Sequence, residues 1–225
     1  MAKIVADVLV EVLESAGVKR CYGIVGDTMN NLAHSLAKSS IRFVHMRHEE
    51  AGAFAAGAES QLTGGLTACA GSCGPGSLHF INGLYEAHRN RAPVVLLATQ
   101  LVRRDLGFES VQEVEFDKVY GDCSVFCEMI LTPDQARRKI VAACQAAITK
   151  RGVAVLVVPA DIAMAKAADE LPYKVMATPP LVRPDDRDLD AIADILNDAS
   201  KITVYAGAGC EGATGELIEL ARKLK

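Results

Sequence analysis

The chain has 225 residues, half of them apolar and 23% charged, which supports a buried core of domain size and excludes collagen-like or long disordered sequence. A formal net charge of -4 argues against nucleic acid as the main partner, and against anionic membrane surfaces, because phosphate binding needs a clustered basic face. No apolar run reaches the roughly 18 residues of a spanning helix and no signal-peptide core opens the chain, so the expected compartment is the cytoplasm.

Val5, Val8, Leu9, Val12, Leu13 and Ala16 fall at helical spacing and Gly17 closes the run, which predicts a first helix. Cys21 to Val25 reads as a short buried strand, Gly26-Asp27-Thr28 as its turn, and Met29, Leu32 and Leu36 as one face of a second helix. The unit then recurs. Arg42 to Met46 is predicted as a strand, the alanine-rich stretch from about Glu50 to Leu62 as a helix whose small residues allow close packing, and Leu66 to Cys69 as a strand. Ala70 to Gly76 leads into one helix carrying Leu78, Ile81, Leu84 and Ala87, followed by the strand Val94 to Ala98. From Leu101 to Tyr120 the periodicity fails and charges accumulate, as in long irregular segments that carry function. A strand near Ser124 to Met129, a helix from about Pro133 to Thr149 and the strand Val153 to Val158 complete a first domain. Continuous apolar strands alternating with helices predict the α/β class, with a doubly wound parallel sheet.

Residues 171–187, which include Pro172, Pro179, Pro180 and Pro184, read as a linker. Beyond it, Leu189 to Leu196 is predicted as a helix, Ile202 to Tyr205 as a strand, Ala206 to Cys210 as a turn and Leu217 to Leu224 as a helix, the start of a second, Rossmann-like domain. One strand cannot form a sheet, so the chain is expected to be truncated relative to a longer protein. The seven cysteines are odd in number, several lie in apolar segments, and Cys69/Cys73 and Cys123/Cys127 lack the two-residue gap of zinc or redox pairs. They are expected to be buried thiols. His48 and His79 lack a ligand set at metal spacing and read as structural histidines, so no metal ligand is expected.

Three strand-to-helix turns are chemically loaded: Gly26-Asp27-Thr28, Arg47-His48-Glu49-Glu50 and Gly71 to Gly76. Such turns are where open α/β sheets bind ligands, and the glycines of the third let backbone approach a flat molecule. Glu49 and Glu50 are adjacent and point in different directions, unlike the paired carboxylates of a glycosidase. Spacing alone leaves Glu49 open as a helix-start acid favoured by the macrodipole, and Asp27 as a cap of the second helix. Gly207-Ala208-Gly209, with Gly212, matches only the beginning of a dinucleotide fingerprint.

Arg47 to Glu59, followed by Ala70 to Leu84, closely resembles the thiamine-diphosphate-dependent pyruvate oxidases and quinone-dependent pyruvate dehydrogenases, and the resemblance runs from the first helix to Cys210. It implies that residues 1–170 form the domain that binds the cofactor's pyrimidine ring, and that residues 188–225 begin a truncated central domain that holds FAD in the oxidases. The family's third domain, whose Gly-Asp-Gly and Asn-Asn signature holds the diphosphate through Mg2+, has no counterpart here. Gly121-Asp122-Cys123 and Gly26-Asp27-Thr28 do not fit that signature, so this chain alone is expected to be inactive.

By the same resemblance Glu49 is the cofactor-activating glutamate, whose carboxyl group binds the aminopyrimidine and promotes loss of the thiazolium C2 proton. Gly74, Pro75 and Gly76 lie near the pyrimidine, and Asn82, in the same motif, is a cofactor contact. His79 and Asp27 match substrate-pocket positions. Gln112 contacts substrate or intermediate within Val111-Gln112-Glu113, where many relatives have Phe-Gln-Glu. Gly207, Gly209 and Cys210 fall on the FAD side. The implied reaction is oxidative decarboxylation of pyruvate to acetate, with electrons passed through FAD to a quinone. A non-oxidative 2-oxo acid decarboxylase or acetolactate-type carboligase is the alternative, and a non-catalytic association module is a reading of another class. The family's cofactor lies between two subunits, which implies a homodimer at least and usually a tetramer. Membrane contact, at the inner face, is implied only through the missing C-terminal part.

Overall fold

The computed structural model describes residues 3–168, 173–178 and 180–224. In chain order its elements are α1 (Val5–Ser15), β1 (Arg20–Ile24), α2 (Asn30–Ala37), β2 (Arg42–His45), α3 (Glu49–Thr63), β3 (Thr67–Gly71), α4 (Pro75–Leu78), α5 (Ile81–Arg89), β4 (Val94–Gln100), α6 (Phe116–Tyr120), β5 (Phe126–Met129), α7 (Ala136–Lys150), β6 (Val153–Pro159), α8 (Ala160–Met164), α9 (Asp186–Asp198) and α10 (Thr214–Leu224). Short 3-10 turns precede α2 and α7, at Asp27–Met29 and Pro133–Gln135. The chain divides into a unit spanning Met1–Pro179 and a second spanning Pro180–Lys225. Among the described residues no helix is long and apolar enough to cross a membrane.

In the first unit the six strands form one sheet in the order β2-β1-β3-β4-β6-β5, and every pairing is parallel. The unbroken apolar runs of β4 and β6 follow from that topology, because alternate side chains feed two separate cores. Val95, Leu97, Ala154, Leu156 and Val158 join α1, α2, α7 and α8 on one face. Val94, Leu96, Ala98, Val153, Val155 and Val157 join α3, α5 and α6 on the other. On that second face α3 and α5 come close enough that a Cβ on Gly83 would lie 2.5 Å from the Ala53 side chain. The small residues read as a close-packing signal serve that contact.

The α/β class and the parallel sheet agree with the sequence. Several local expectations need correction. The helix expected after Gly76 is interrupted by a turn at His79 and Phe80, so that α4 and α5 are separate elements. The segment 101–120, expected to be irregular throughout, contains a 3-10 turn at Arg103–Asp105 and the helix α6. The strand expected at Ile202 to Tyr205 does not form. It has no strand to pair with among the described residues of its unit, and an unpaired extended segment has no ladder to hold it.

Of the linker expected at 171–187, Leu171, Pro172 and Pro179 lie outside the described residues, while Met176 is held to α7. Gln145 donates to its carbonyl at 3.2 Å and accepts from its amide at 2.9 Å. The second unit contains α9, capped by the Asp185 side chain that accepts from Asp188 N, and α10.

At Gly23, paired with Ala70 in the β1–β3 ladder, an added Cβ would stand 1.9 Å from the Ala70 carbonyl oxygen. Gly23→Ala therefore forces β1 and β3 apart and is expected to destabilise the protein by at least about 2 kcal/mol, read from the midpoint of urea unfolding.

Candidate active site

The sheet order reverses between β1 and β3, and in an open parallel sheet the crevice outside the C-terminal strand ends at that point is the place for a ligand. The three loaded turns follow β1, β2 and β3, so the topology brings them to that end of the sheet. Glu49 is the first residue of α3 and is only 9% exposed, the one buried charged residue among those described. A carboxylate is rarely buried without a task or a partner. Its position at the helix N-terminus favours negative charge there. His79, just past α4, is its partner: the ring Nδ1 donates to Glu49 Oε2 at 3.1 Å.

His48 caps α3, its Nδ1 accepting from Glu50 N at 3.3 Å, and its ring stacks on His79 with centroids 4.8 Å apart and planes 22° apart. Asn82 on α5 donates to Glu50 Oε1 at 2.7 Å. The two adjacent glutamates thus divide as their opposite directions require, Glu49 toward the interior and Glu50 toward α5. The histidines correct the sequence reading. They are not isolated structural residues, because the fold brings their ring nitrogens and the Glu49 carboxylate within 4.8 Å of one another.

Of the glycines of the third turn, Gly76 lies beside this carboxylate and Gly74 against the segment that follows β4. Gly74 has φ +63 and is backed against Gln112, whose Cβ would lie 2.9 Å from a Cβ placed on the glycine. A Cβ on Gly76 would lie 3.2 Å from Ser72 Cβ and 3.8 Å from Glu49 Oε1, so any side chain there would fill the space beside the carboxylate. Pro75 opens α4 at its first turn. Cys73 reaches the segment carrying Gln112, its thiol donating to Gln112 Oε1 at 3.6 Å. Burial pushes that thiol's pKa up, which keeps it a donor rather than a thiolate. Burial likewise pushes Cys21 and Cys144 up to about 12.

Asp27 stands exposed after β1, where its Oδ1 accepts from Ser72 Oγ at 3.0 Å. It does not cap α2, whose N-terminus has no side-chain cap. The structure thus brings Asp27, Glu49, Gly74, Pro75, Gly76, His79, Asn82 and Gln112 to one end of the sheet. Gly207, Gly209 and Cys210 belong to the second unit, in and beside the 3-10 turn Ala208–Cys210, with open space around both glycines.

Residues 3–120 match the family described as "Thiamine pyrophosphate enzyme, N-terminal TPP binding domain". The chain belongs to this family of thiamine-pyrophosphate-dependent enzymes. It is 45% identical over 224 residues to an uncharacterized 42.6 kDa protein of Pseudomonas amyloderamosa, covering 98% of this chain and 57% of the relative. Identity to the pyruvate oxidase of Lactiplantibacillus plantarum is 32%, over 96% of this chain and 37% of the relative. Identity to the chloroplastic acetolactate synthase of Arabidopsis thaliana is 31%, over 94% and 32% respectively. The chain therefore spans little more than half of the first relative and about a third of the others.

Within this family member the segment carrying Gln112 is tied down at several points. Gln100 at the end of β4 donates to Val114 O at 2.8 Å, and Tyr120 on α6 donates to Ser77 O beside the glycine turn. The segment starts at Arg103, whose amide and Nε donate to Asp161 at 3.0 and 2.8 Å. Burial alone would raise the Asp161 carboxyl, but the Arg103 hydrogen bonds and charge outweigh it and hold the pKa below the usual range. A depressed carboxyl contributes stability that is present above its unfolded value, about 4, and lost as pH falls through the folded one. Asp161→Asn is accordingly expected to lower stability by about 1 kcal/mol at neutral pH, a difference that shrinks toward zero in acid-titrated urea unfolding.

Proposed function

We propose that the full-length protein catalyses the oxidative decarboxylation of pyruvate to acetate, passing electrons through FAD to a quinone. The observation that carries the reading is Glu49, a buried carboxylate beside a glycine turn, in a chain 32% identical to a pyruvate oxidase. When bound, thiamine diphosphate supplies a carbanion at its thiazolium carbon, the hard part of the chemistry.

The residues of this chain do the rest of the work on the pyrimidine side. Glu49 holds a proton against the ring nitrogen of the pyrimidine, its carboxyl oriented by the His79 hydrogen bond to Oε2. Gly74, Pro75 and Gly76 let the flat ring lie against backbone, and Asn82 positions Glu50 away from it. Asp27 and Gln112 offer polar groups to the 2-oxo acid. Gly207, Gly209 and Cys210 take the FAD side, and Mg2+ with the diphosphate is held by residues outside this chain. The working unit is a homo-oligomer with its active sites between subunits, in the cytoplasm or against the inner face of the membrane.

Acetolactate-type carboligation or non-oxidative decarboxylation of a 2-oxo acid is the second reading, and the 31% identity to an acetolactate synthase supports it about equally. The products decide between them. In the full-length protein, acetate formation coupled to dye reduction supports the oxidase, whereas acetolactate or acetaldehyde from the same incubation sinks it. Glu49→Gln is expected to lower pyruvate turnover and C2 proton exchange of the bound cofactor by at least about 100-fold, with little change in unfolding midpoint. Unchanged exchange would remove Glu49 from its role.

A further inference from the structure

We propose that Thr28 is a positioning residue, its hydroxyl tying the three central strand ends together so that Asp27 and Gln112 are held at set positions relative to the glycine turn. This rests on the reading of the site given above. Thr28 follows β1, yet the ordinary use of a threonine before a helix is absent, since neither the 3-10 turn nor α2 has a side-chain cap. Its hydroxyl instead reaches across the sheet. It lies 2.7 Å from Thr99 Oγ1 on β4 and 3.0 Å from Ser72 Oγ, and it accepts from Cys73 N at 2.9 Å.

The hydrogens can be assigned. Thr99 is fully buried and donates to the Gly71 carbonyl at 2.8 Å, so its oxygen accepts from Thr28. The Thr28 hydrogen is therefore committed to β4 while its oxygen holds the amide of Cys73. Ser72, donating to Asp27 Oδ1, links the same cluster to the carboxylate. On the far side Cys73 holds Gln112 through its thiol, and Gly74 abuts the Gln112 backbone. Gly26 completes the close contact, because a Cβ there would lie 2.5 Å from Ser72 Oγ. One hydroxyl thus joins two polar groups that are 85 residues apart in sequence, Asp27 and Gln112, through a turn that belongs to neither.

Thr28→Val keeps the shape and removes the hydroxyl, leaving the Cys73 amide and the Thr99 oxygen without their partner. In the full-length protein, kcat/KM for pyruvate per bound cofactor is expected to fall about tenfold or more, while the Kd for thiamine diphosphate changes less than about threefold. Thr28→Ser restores activity to within about threefold of wild type. Combined with Gln112→Ala, the loss is expected to be less than the product of the two single losses, as for groups acting through one another. A purely structural role would lower the amount of folded enzyme and leave the constants per bound cofactor unchanged.

Wild-type-like kinetics in Thr28→Val, no rescue by serine, or multiplicative losses in the double variant would each overturn the proposal. Amide hydrogen exchange at Cys73 reads the tie without any cofactor: protection lost in Thr28→Val and regained in Thr28→Ser supports it, and protection unchanged overturns it. If the wild-type protein binds no thiamine diphosphate, the reading of the site falls instead, and the exchange result still decides the tie.

Discussion

The close parallel pairing of β1 with β3 is the constraint on which the site depends. The sheet order reverses there, so the polypeptide leaves β1 and β3 toward opposite faces and opens a crevice between the turns that follow them. Gly23 permits that pairing, and Gly26 permits the turn after β1 to approach Ser72. Both demands are steric and both are met only by a residue without a Cβ. A small widening of this one seam would separate Asp27 and Thr28 from Ser72 and Cys73.

On this frame the site is built by a division of labour between hard and soft groups. Glu49 is buried at a helix N-terminus, where the amide dipoles favour its charge and His79 supplies a directed hydrogen bond. The energetic cost of burying an acid is offset locally, and the carboxylate stays oriented. Beside it Gly76 carries no side chain to crowd the carboxylate, and Gly74 lets the turn close against Gln112. Asp27 and Gln112 differ from Glu49 in lying on turns and loops. Their positions come from hydrogen bonds made by neighbours, chiefly Ser72 and Cys73.

The segment 101–120 shows how an aperiodic stretch becomes part of a rigid site. Its start is clamped by the Arg103–Asp161 pair, its middle by Gln100 bonding Val114, and its end by Tyr120 bonding Ser77. None of these contacts has a sequence period, since each partner comes from a different element.

The sequence by itself determined the alternation of apolar strands and helices, and with it the two-faced parallel sheet, because a strand covered on both faces must be apolar at every position. It also marked the Arg47 to Glu50 and Gly71 to Gly76 turns, since residues that break periodicity after a strand stand at its end. Tertiary structure decided the rest. Only the fold paired Glu49 with His79, thirty residues apart, turning a histidine that spacing read as structural into the partner of the buried acid. Only the fold found Thr28, whose residue type is ordinary at a turn and whose meaning lies in three partners supplied by two other strand ends. The same rule applies at Ile202 to Tyr205, where apolar composition favoured a strand and the described residues of its unit hold no strand to pair with it. A local pattern fixes which face a residue presents, whereas a hydrogen bond or a strand requires a second group whose arrival depends on the whole chain path.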